Sequence, residues 1–192
     1  MHYFIREMYR RNLPHWHPPG AAIFITWCLA GWHRLQPVNQ RLQPVIHDGR
    51  GFAEMDLRLD RADHGPTWLR RPQIAECVVA CLLEDAGEGY ELHAFVIMPN
   101  HAHLLITPRI ELSKITRAIK GKSARQANAM LGRTGKPFWQ DESFGHWIRN
   151  QLQFDKVKSY IERNPVRAGL AMTPEQWLHS SAVPQHKLRL TG

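Results

Sequence analysis

Residues 90–108 read YELHAFVIMPNHAHLLITP. An apolar run ends at Met98, a Pro99-Asn100 pair interrupts it, and a second apolar run follows. Proline and asparagine are favoured in tight turns, and apolar runs on both sides of a turn are typical of paired strands. The stretch is therefore predicted to form an antiparallel hairpin with strands over 90–98 and 101–107.

Two histidines stand at the start of the second predicted strand. Side chains alternate between the two faces of a strand, so His101 and His103 should point to one face, and Ala102 and Leu104 to the other. Two imidazoles held one step apart on a rigid strand supply half of a metal site. The alternative is that both are half-exposed histidines at an edge of the sheet.

The remaining elements complete an α+β pattern. A first strand is predicted over 21–30, helices over 72–85, 111–131 and 151–164, and a short strand near 144–148. Pro165 is expected to end the last helix. This order is that of a ferredoxin-like sandwich, an antiparallel sheet with helices on one face.

Residues 31–70 are punctuated by glycine and proline and are long for a loop. They are predicted to be an insertion between the first strand and the first helix, with a short helix over 51–63.

The chain of 192 residues is long enough for one domain with a proper core. We divide it into a basic, aromatic N-terminal arm over 1–19, a domain over 20–170 and a tail over 171–192, in which Trp177 should pack back onto the domain. No apolar stretch is long enough to span a bilayer, and the N-terminus lacks the apolar core of a secretory signal. Three cysteines suit a reducing compartment. We therefore expect a cytoplasmic protein that does not contact membranes.

The positive charge of the chain lies in one segment. The formal net charge is +8, and residues 109–170 alone carry 13 Lys and Arg against five Asp and Glu. Such a concentration favours a polyanionic partner, most simply nucleic acid, although a solvated basic face would have the same composition. The candidate DNA-binding residues are Lys114, Arg117, Lys120, Lys122 and Arg125 in the second helix, then Arg149, Lys156, Arg163 and Arg167.

The last predicted helix carries a second pair of candidate residues. Asn164 follows Tyr160 by one helical turn, so the two side chains can reach the same place. With His101 and His103, they would form a catalytic centre in which a metal on the histidines and Asn164 polarises a phosphate. Tyr160 would attack that phosphate and form a covalent phosphotyrosine. The alternative is that Tyr160 is a core aromatic and Asn164 only ends a helix.

Two separated blocks of the sequence resemble one family. HAFVIMPNHAHLLITP (93–108) closely resembles the HUH motif of the single-tyrosine, IS200-like HUH transposases. FWQDESFGHWIRN (138–150) and SYIERNPVRAGL (159–170) resemble the C-terminal half of the same family, and the combination is most similar to its REP-associated tyrosine transposases.

The resemblance implies an HUH endonuclease fold with Tyr160 as the nucleophile and His101, His103 and Asn164 as metal ligands. It also implies Mg²⁺ or Mn²⁺ as the cofactor, and cleavage of single-stranded DNA beside a hairpin, which leaves a 5′-phosphotyrosine. Imidazole ligands suit Mn²⁺ better than Mg²⁺. The REP-associated branch is expected to act as a monomer, whereas related transposases form homodimers.

Three functions remain open at this stage. The first is a metal-dependent endonuclease and strand transferase, that is, a transposase acting at REP-like hairpins. The second is a catalytically silent protein that binds repeat DNA. The third is a metal-dependent phosphohydrolase that uses water as the nucleophile.

Overall fold

In a computed structural model, residues 18–31, 59–60 and 65–186 are described. Their helices and strands follow the chain as β1 (Ile23–Cys28), α1 (Pro72–Glu84), β2 (Tyr90–Ile97), β3 (His101–Pro108), α2 (Leu112–Met130), β4 (Phe144–Trp147) and α3 (Gln151–Arg167). Most of the predicted arm over 1–19, most of the insertion with its short helix, and the last six residues lie outside the described residues.

The four strands form one sheet in the order β2-β3-β1-β4, and every neighbouring pair is antiparallel. This is the strand order of a ferredoxin-like sandwich, so the predicted fold class is confirmed. The hairpin turn between β2 and β3 is closed by a hydrogen bond of 2.9 Å from the Met98 amide to the His101 carbonyl. Because β3 lies between β2 and β1, its histidines are on an interior strand.

One face of the sheet is covered by α1 and α2. Ala102, Leu104 and Ile106 of β3 point to this side, where they join the largest apolar cluster. The helices contribute residues at helical spacing, among them Val78 of α1 and Ile119 of α2. Burial of each such side chain contributes about 1.5–3 kcal/mol relative to exposure. This layer matches the predicted sandwich.

The expectation of helices on one face holds for α1 and α2 only, because the third helix lies on the opposite face. Ile161 of α3 is fully buried in a second cluster with Phe24, Val96 and Leu105 of the sheet. The sheet is therefore covered on both sides, which explains why its strands are almost continuously apolar. The histidines of β3 point to this second face, so α3 covers them.

The prediction that Pro165 ends the last helix was wrong, since α3 continues through Pro165 to Arg167. Pro165 lacks an N–H donor, but this affects only the last turn of the helix, where other backbone hydrogen bonds form. The Leu170 amide donates to the Pro165 carbonyl at 2.8 Å and the Gly169 amide to Val166 at 3.0 Å, with Gly169 at φ +69°. This is a Schellman motif. Asn164 consequently stays helical and one turn from Tyr160.

The segment after α3 returns to the free edge of β2. The Ile97 amide donates to the His179 carbonyl and the Ser181 amide to Phe95, both at 2.9 Å. Trp177 packs into the second cluster, and its indole Nε1 donates to the Ile97 carbonyl at 2.9 Å, as expected of a tail that packs back. Across the described part of the chain, no helix is both long and apolar enough to cross a membrane.

Candidate active site

His101 and His103 meet beneath α3. Both side chains are 0% exposed, and their Nε2 atoms lie 3.0 Å apart. The two side chains share a face because they are two residues apart on β3. The alternative of two half-exposed histidines at a sheet edge is wrong, because both are fully buried on an interior strand.

The neighbouring turn residue orients His101. Asn100, itself fully buried, places its side-chain carbonyl Oδ1 2.7 Å from His101 Nδ1. A carbonyl oxygen only accepts hydrogen bonds, so Nδ1 carries a proton, and in the neutral ring Nε2 carries the lone pair. Asn100 thus holds His101 in the tautomer in which Nε2 can bind a metal.

Thr26 orients His103 from the adjacent strand. Thr26 is paired with His103 in the register of β1 and β3, and its hydroxyl lies 2.7 Å from His103 Nδ1. A hydroxyl can both donate and accept, so this contact tolerates either tautomer. When Nε2 of His103 carries the proton, His103 donates a hydrogen bond to Nε2 of His101. When Nδ1 carries the proton, His103 donates to the Thr26 hydroxyl, and its Nε2 lone pair faces Nε2 of His101.

We expect replacement of Thr26 by valine to weaken divalent-metal binding. Valine has the same shape but cannot accept a hydrogen bond from the imidazole, and loss of such an orienting partner typically costs 10–100-fold in metal affinity. Isothermal titration with Mn²⁺ measures the change. Thr26→Ser keeps the hydroxyl and should bind Mn²⁺ nearly as the unaltered protein does. Equal Mn²⁺ affinity of the valine and serine variants would contradict the orienting role of the hydroxyl.

Tyr160 lies against one of these histidines, His103. Its ring centroid is 5.9 Å from that of His103 and 6.3 Å from that of Phe24, edge-on in both cases. The Asn164 amide nitrogen donates to the Tyr160 hydroxyl at 3.4 Å, and the guanidinium of Arg167 lies 4.7 Å from the ring centroid. The structure therefore brings the predicted tyrosine, asparagine and histidines together within one chain.

A surface cavity of about 430 Å³ opens beside Tyr160. Tyr160 is only half-buried, so it is not simply a core aromatic. The cavity is lined by residues of α3, three of them cationic: Leu152, Asp155, Lys156, Ser159, Tyr160, Arg163 and Arg167. A basic opening of this kind can receive an anionic ligand beside the Tyr160 hydroxyl.

The structure separates the nine predicted DNA-binding residues. Those of α3, namely Lys156, Arg163 and Arg167, surround Tyr160, and Arg149 lies just before this helix with its guanidinium 5.3 Å from the Trp147 ring centroid. The five on α2 are on the helix that covers the opposite face of the sheet: Lys114, Arg117, Lys120, Lys122 and Arg125. The basic segment is thus divided between two sides of the molecule.

Two of the lysines on α2 have structural roles. Lys120 donates to the carbonyl of Asp141 at 3.0 Å and to the Ser143 hydroxyl at 3.2 Å. Lys122 binds Asp85 at 2.9 Å and Glu84 at 3.3 Å, and the hydrogen bond to Asp85 raises the pKa of its ammonium group. These charges tie α2 to neighbouring segments.

Two further histidines lie on the α3 side of the sheet. Burial lowers the pKa of His93, and burial together with Arg149 lowers that of His146. His93 contacts Phe154 edge-on, and His146 Nε2 is 2.9 Å from Gln153 Nε2. A pKa below the ordinary value favours the neutral form of both rings at pH 7, so they add no positive charge around the first turn of α3.

The donor set fits a divalent cation. Two nitrogens in adjacent octahedral positions, each about 2.1 Å from an ion, lie about 3.0 Å apart, which is the spacing of the two Nε2 atoms. The nitrogen of Asn164 is used by Tyr160, so its amide oxygen is the atom that would bind a cation. Within residues 18–31, 59–60 and 65–186, no group of three His, Cys, Asp or Glu is arranged to hold a metal by itself.

Sequence reasoning missed the residues that support the histidines. The sequence alone predicts Asn100 only as a turn residue, and Thr26 only as part of a strand. The signal for Thr26 lies in the pairing of β1 with β3, because its place opposite His103 depends on the register. A single sequence does not specify that register.

Comparison with known proteins supports the family resemblance. Residues 78–164, from α1 through β3 to Asn164 of α3, match the family described as "Transposase IS200 like". This confirms the similarity to IS200-like transposases inferred from the sequence, and it supports transposase function. Among curated protein sequences, none matches the chain significantly.

Two solved structures resemble the chain. One is a REP-associated tyrosine transposase bound to a REP hairpin, with 20% identity and a TM-score of 0.55 over 86% of this chain and 79% of the other. At this identity the likeness shows the shared fold. The other is a protein of Deinococcus radiodurans R1 named as a candidate transposase, with 19% identity and a TM-score of 0.38 over 74% of this chain and 89% of the other.

Proposed function

We propose that this protein is a metal-dependent single-strand DNA endonuclease and strand transferase that acts through a covalent bond to Tyr160. One observation carries the proposal: α3 places Tyr160 edge-on to His103 of the same chain, with a hydroxyl contact to Asn164. The phenol of Tyr160 thus lines a basic opening and contacts a buried imidazole and a buried amide behind it. The matching IS200-like transposase family points to the same class of reaction.

The proposed reaction is a phosphoryl transfer to tyrosine. The Tyr160 oxygen forms a bond to the scissile phosphorus, and the bond from phosphorus to the 3′ oxygen breaks. The products are a 5′-phosphotyrosine and a 3′ hydroxyl, so one proton passes, overall, from the phenol to the 3′ oxygen. Attack by a 3′ hydroxyl on the phosphotyrosine reverses these changes and rejoins a strand without ATP.

His101, His103 and Asn164 would hold the Mg²⁺ or Mn²⁺, which supplies Lewis-acid polarisation of the phosphate when bound. The protein's own residues prepare the site. Asn100 and Thr26 hold the imidazoles, and Phe24 packs against both His103 and Tyr160, with its ring 5.5 Å from that of His103. Arg167 keeps a positive charge over the nucleophile's ring.

The substrate proposed is single-stranded DNA that runs along α3 beside a REP-like hairpin. Lys156, Arg163 and Arg167 would contact its phosphates, and the exposed side chain of Leu152 offers an apolar surface for a base. The hairpin is proposed from the sequence resemblance and from the relative that is bound to one. Because α3 packs on its own sheet, a monomer is sufficient for this chemistry.

We expect Arg163→Gln with Arg167→Gln to weaken single-strand binding and flatten its salt dependence. Each lost phosphate contact lowers the slope of log K against log salt by about 0.7, so the pair should lower it by about 1.4. Fluorescence anisotropy at several salt concentrations measures this slope. The matched control is Arg117→Gln with Arg125→Gln, which removes the same charge from α2 and should leave the slope unchanged.

The experiment that tests the function is a denaturing gel with labelled single-stranded DNA from the repeats beside the protein's gene. We expect an adduct that requires Mn²⁺ or Mg²⁺ and survives denaturation. Cleaved DNA without an adduct would favour the water-using phosphohydrolase. Bound but uncleaved DNA on a native gel would favour a silent repeat-binding protein.

A further inference from the structure

Two residues of the insertion are attached to the histidine end of the sheet. Leu59 is 0% exposed and packs against Cys28 at the end of β1. Its carbonyl accepts a hydrogen bond of 3.0 Å from the Asn100 side-chain nitrogen. The same Asn100 accepts from His101 through its oxygen, so one side chain links the insertion to the first histidine.

This attachment brings a carboxylate to the site. Asp60 Oδ1 lies 3.9 Å from His101 Nε2, and the Asp60 side chain is only 7% exposed. His101 Nε2 is also the atom that faces His103 Nε2 at 3.0 Å. One oxygen and two nitrogens therefore converge on one buried region, beneath the helix that carries Tyr160.

The chemistry of these three atoms indicates a cation. Asn100 keeps a proton of His101 on Nδ1, so Nε2 is the ring nitrogen that faces the carboxylate and can bind a cation. A cation between Nε2 and the carboxylate would be attracted by both, since each can offer it an electron pair. Buried charged groups are commonly paired or bind metals, and carboxylate oxygens suit Mg²⁺ and Mn²⁺.

We propose that Asp60 is part of the cation site and gives it the negative charge that its other members lack. The inference rests on the proposed function, because it concerns the same cation. His101, His103 and Asn164 are neutral donors, so Asp60 alone would make the site anionic. At 3.9 Å, its oxygen would act after a small side-chain rotation or through a bridging water. The insertion, on this view, contributes to the metal site of this chain.

The test measures Mn²⁺ binding by the full-length protein without DNA, by titration calorimetry and by the loss of the free-Mn²⁺ electron paramagnetic resonance signal. Asp60→Asn should raise the Kd about 10–100-fold, the usual effect of losing a supporting group at a metal site. Asp60→Glu keeps the charge, and its Kd should lie between that of the unaltered protein and that of Asp60→Asn. Asp141→Asn, which removes an exposed carboxylate from the connection between α2 and β4, should bind Mn²⁺ as the unaltered protein does.

A Kd for Asp60→Asn within twofold of the unaltered protein would overturn the inference, and so would equal losses in Asp60→Asn and Asp141→Asn. Asp60→Ser is a second neutral variant in case Asp60→Asn does not fold, and it should show the same loss. The experiments can reject the role of Asp60 without rejecting the cation site, and the reverse. Unchanged Mn²⁺ binding in Asp60→Asn, with a metal-dependent adduct intact, overturns only the role of Asp60, whereas an adduct that forms fully in EDTA overturns the cation site itself.

Discussion

Tyr160→Phe should abolish covalent DNA cleavage while leaving single-strand binding close to normal. Removal of an enzyme's nucleophile costs on the order of 10⁴-fold or more in rate. Phenylalanine keeps the ring that contacts Phe24, His103 and Arg167, and loses only a hydroxyl whose contact with Asn164 is long, at 3.4 Å. Initial cleavage rates on denaturing gels and anisotropy titrations measure the two effects.

Tyr90→Phe is the matched control for this prediction. Tyr90 is fully buried, and its hydroxyl donates to the Leu82 carbonyl in α1, on the other face of the sheet from Tyr160. Loss of this bond should lower the free energy of unfolding by about 1 kcal/mol without changing cleavage. Cleavage by Tyr160→Phe at more than a trace would contradict the tyrosine mechanism and favour attack by water.

A mixture of Tyr160→Phe with His101→Ala examines whether the site is built from one chain. In the structure, α3 packs through Ile161 against its own sheet, next to its own histidines. Neither variant in the mixture then has a complete site, so no cleavage should return. Recovery of cleavage on mixing would show that two chains exchange α3.

The hairpin was the most predictable part of the fold. A proline-asparagine turn between two apolar runs leaves few other choices, and the period of a strand places His101 and His103 on one face. Tyr160 and Asn164 were equally predictable as neighbours, since one helical turn separates them. Local geometry is sufficient for both statements, and the structure agrees with both.

The features that depend on how distant segments pack together were not predictable from the sequence. The face on which α3 packs, the register that sets Thr26 opposite His103, and the return of the insertion to His101 all depend on contacts between distant segments. Lys120 and Lys122 show the same limit for charge. Composition counts both as basic, while in the structure Lys120 donates to the main-chain carbonyl of Asp141 and Lys122 binds the carboxylates of Asp85 and Glu84.

Removing the cation, or the imidazoles that would bind it, should reduce cleavage by at least about 10³-fold, since Lewis-acid polarisation contributes several kcal/mol. EDTA tests this without altering the chain, and added Mn²⁺ should restore the rate.

His103→Ala should lose the same activity, and added Mn²⁺ should not restore it. It also leaves the Thr26 hydroxyl and Tyr160 facing a cavity, so its free energy of unfolding should fall by about 2–4 kcal/mol, which thermal unfolding measures.

His93→Ala separates the loss of a buried ring from the loss of a metal ligand. His93 lies on β2, on the same side of the sheet, where it contacts Phe154 and the Thr107 hydroxyl rather than the other histidines. The His93→Ala variant should have a lower free energy of unfolding but should still cleave DNA and respond to Mn²⁺. At 100 times its Kd, Mn²⁺ stabilises a folded protein by about 2.7 kcal/mol, so it should raise the melting temperature of His93→Ala but not that of His103→Ala. If Mn²⁺ raised both equally, the ion would bind elsewhere, and the two imidazoles would have to act as proton carriers or structural residues instead.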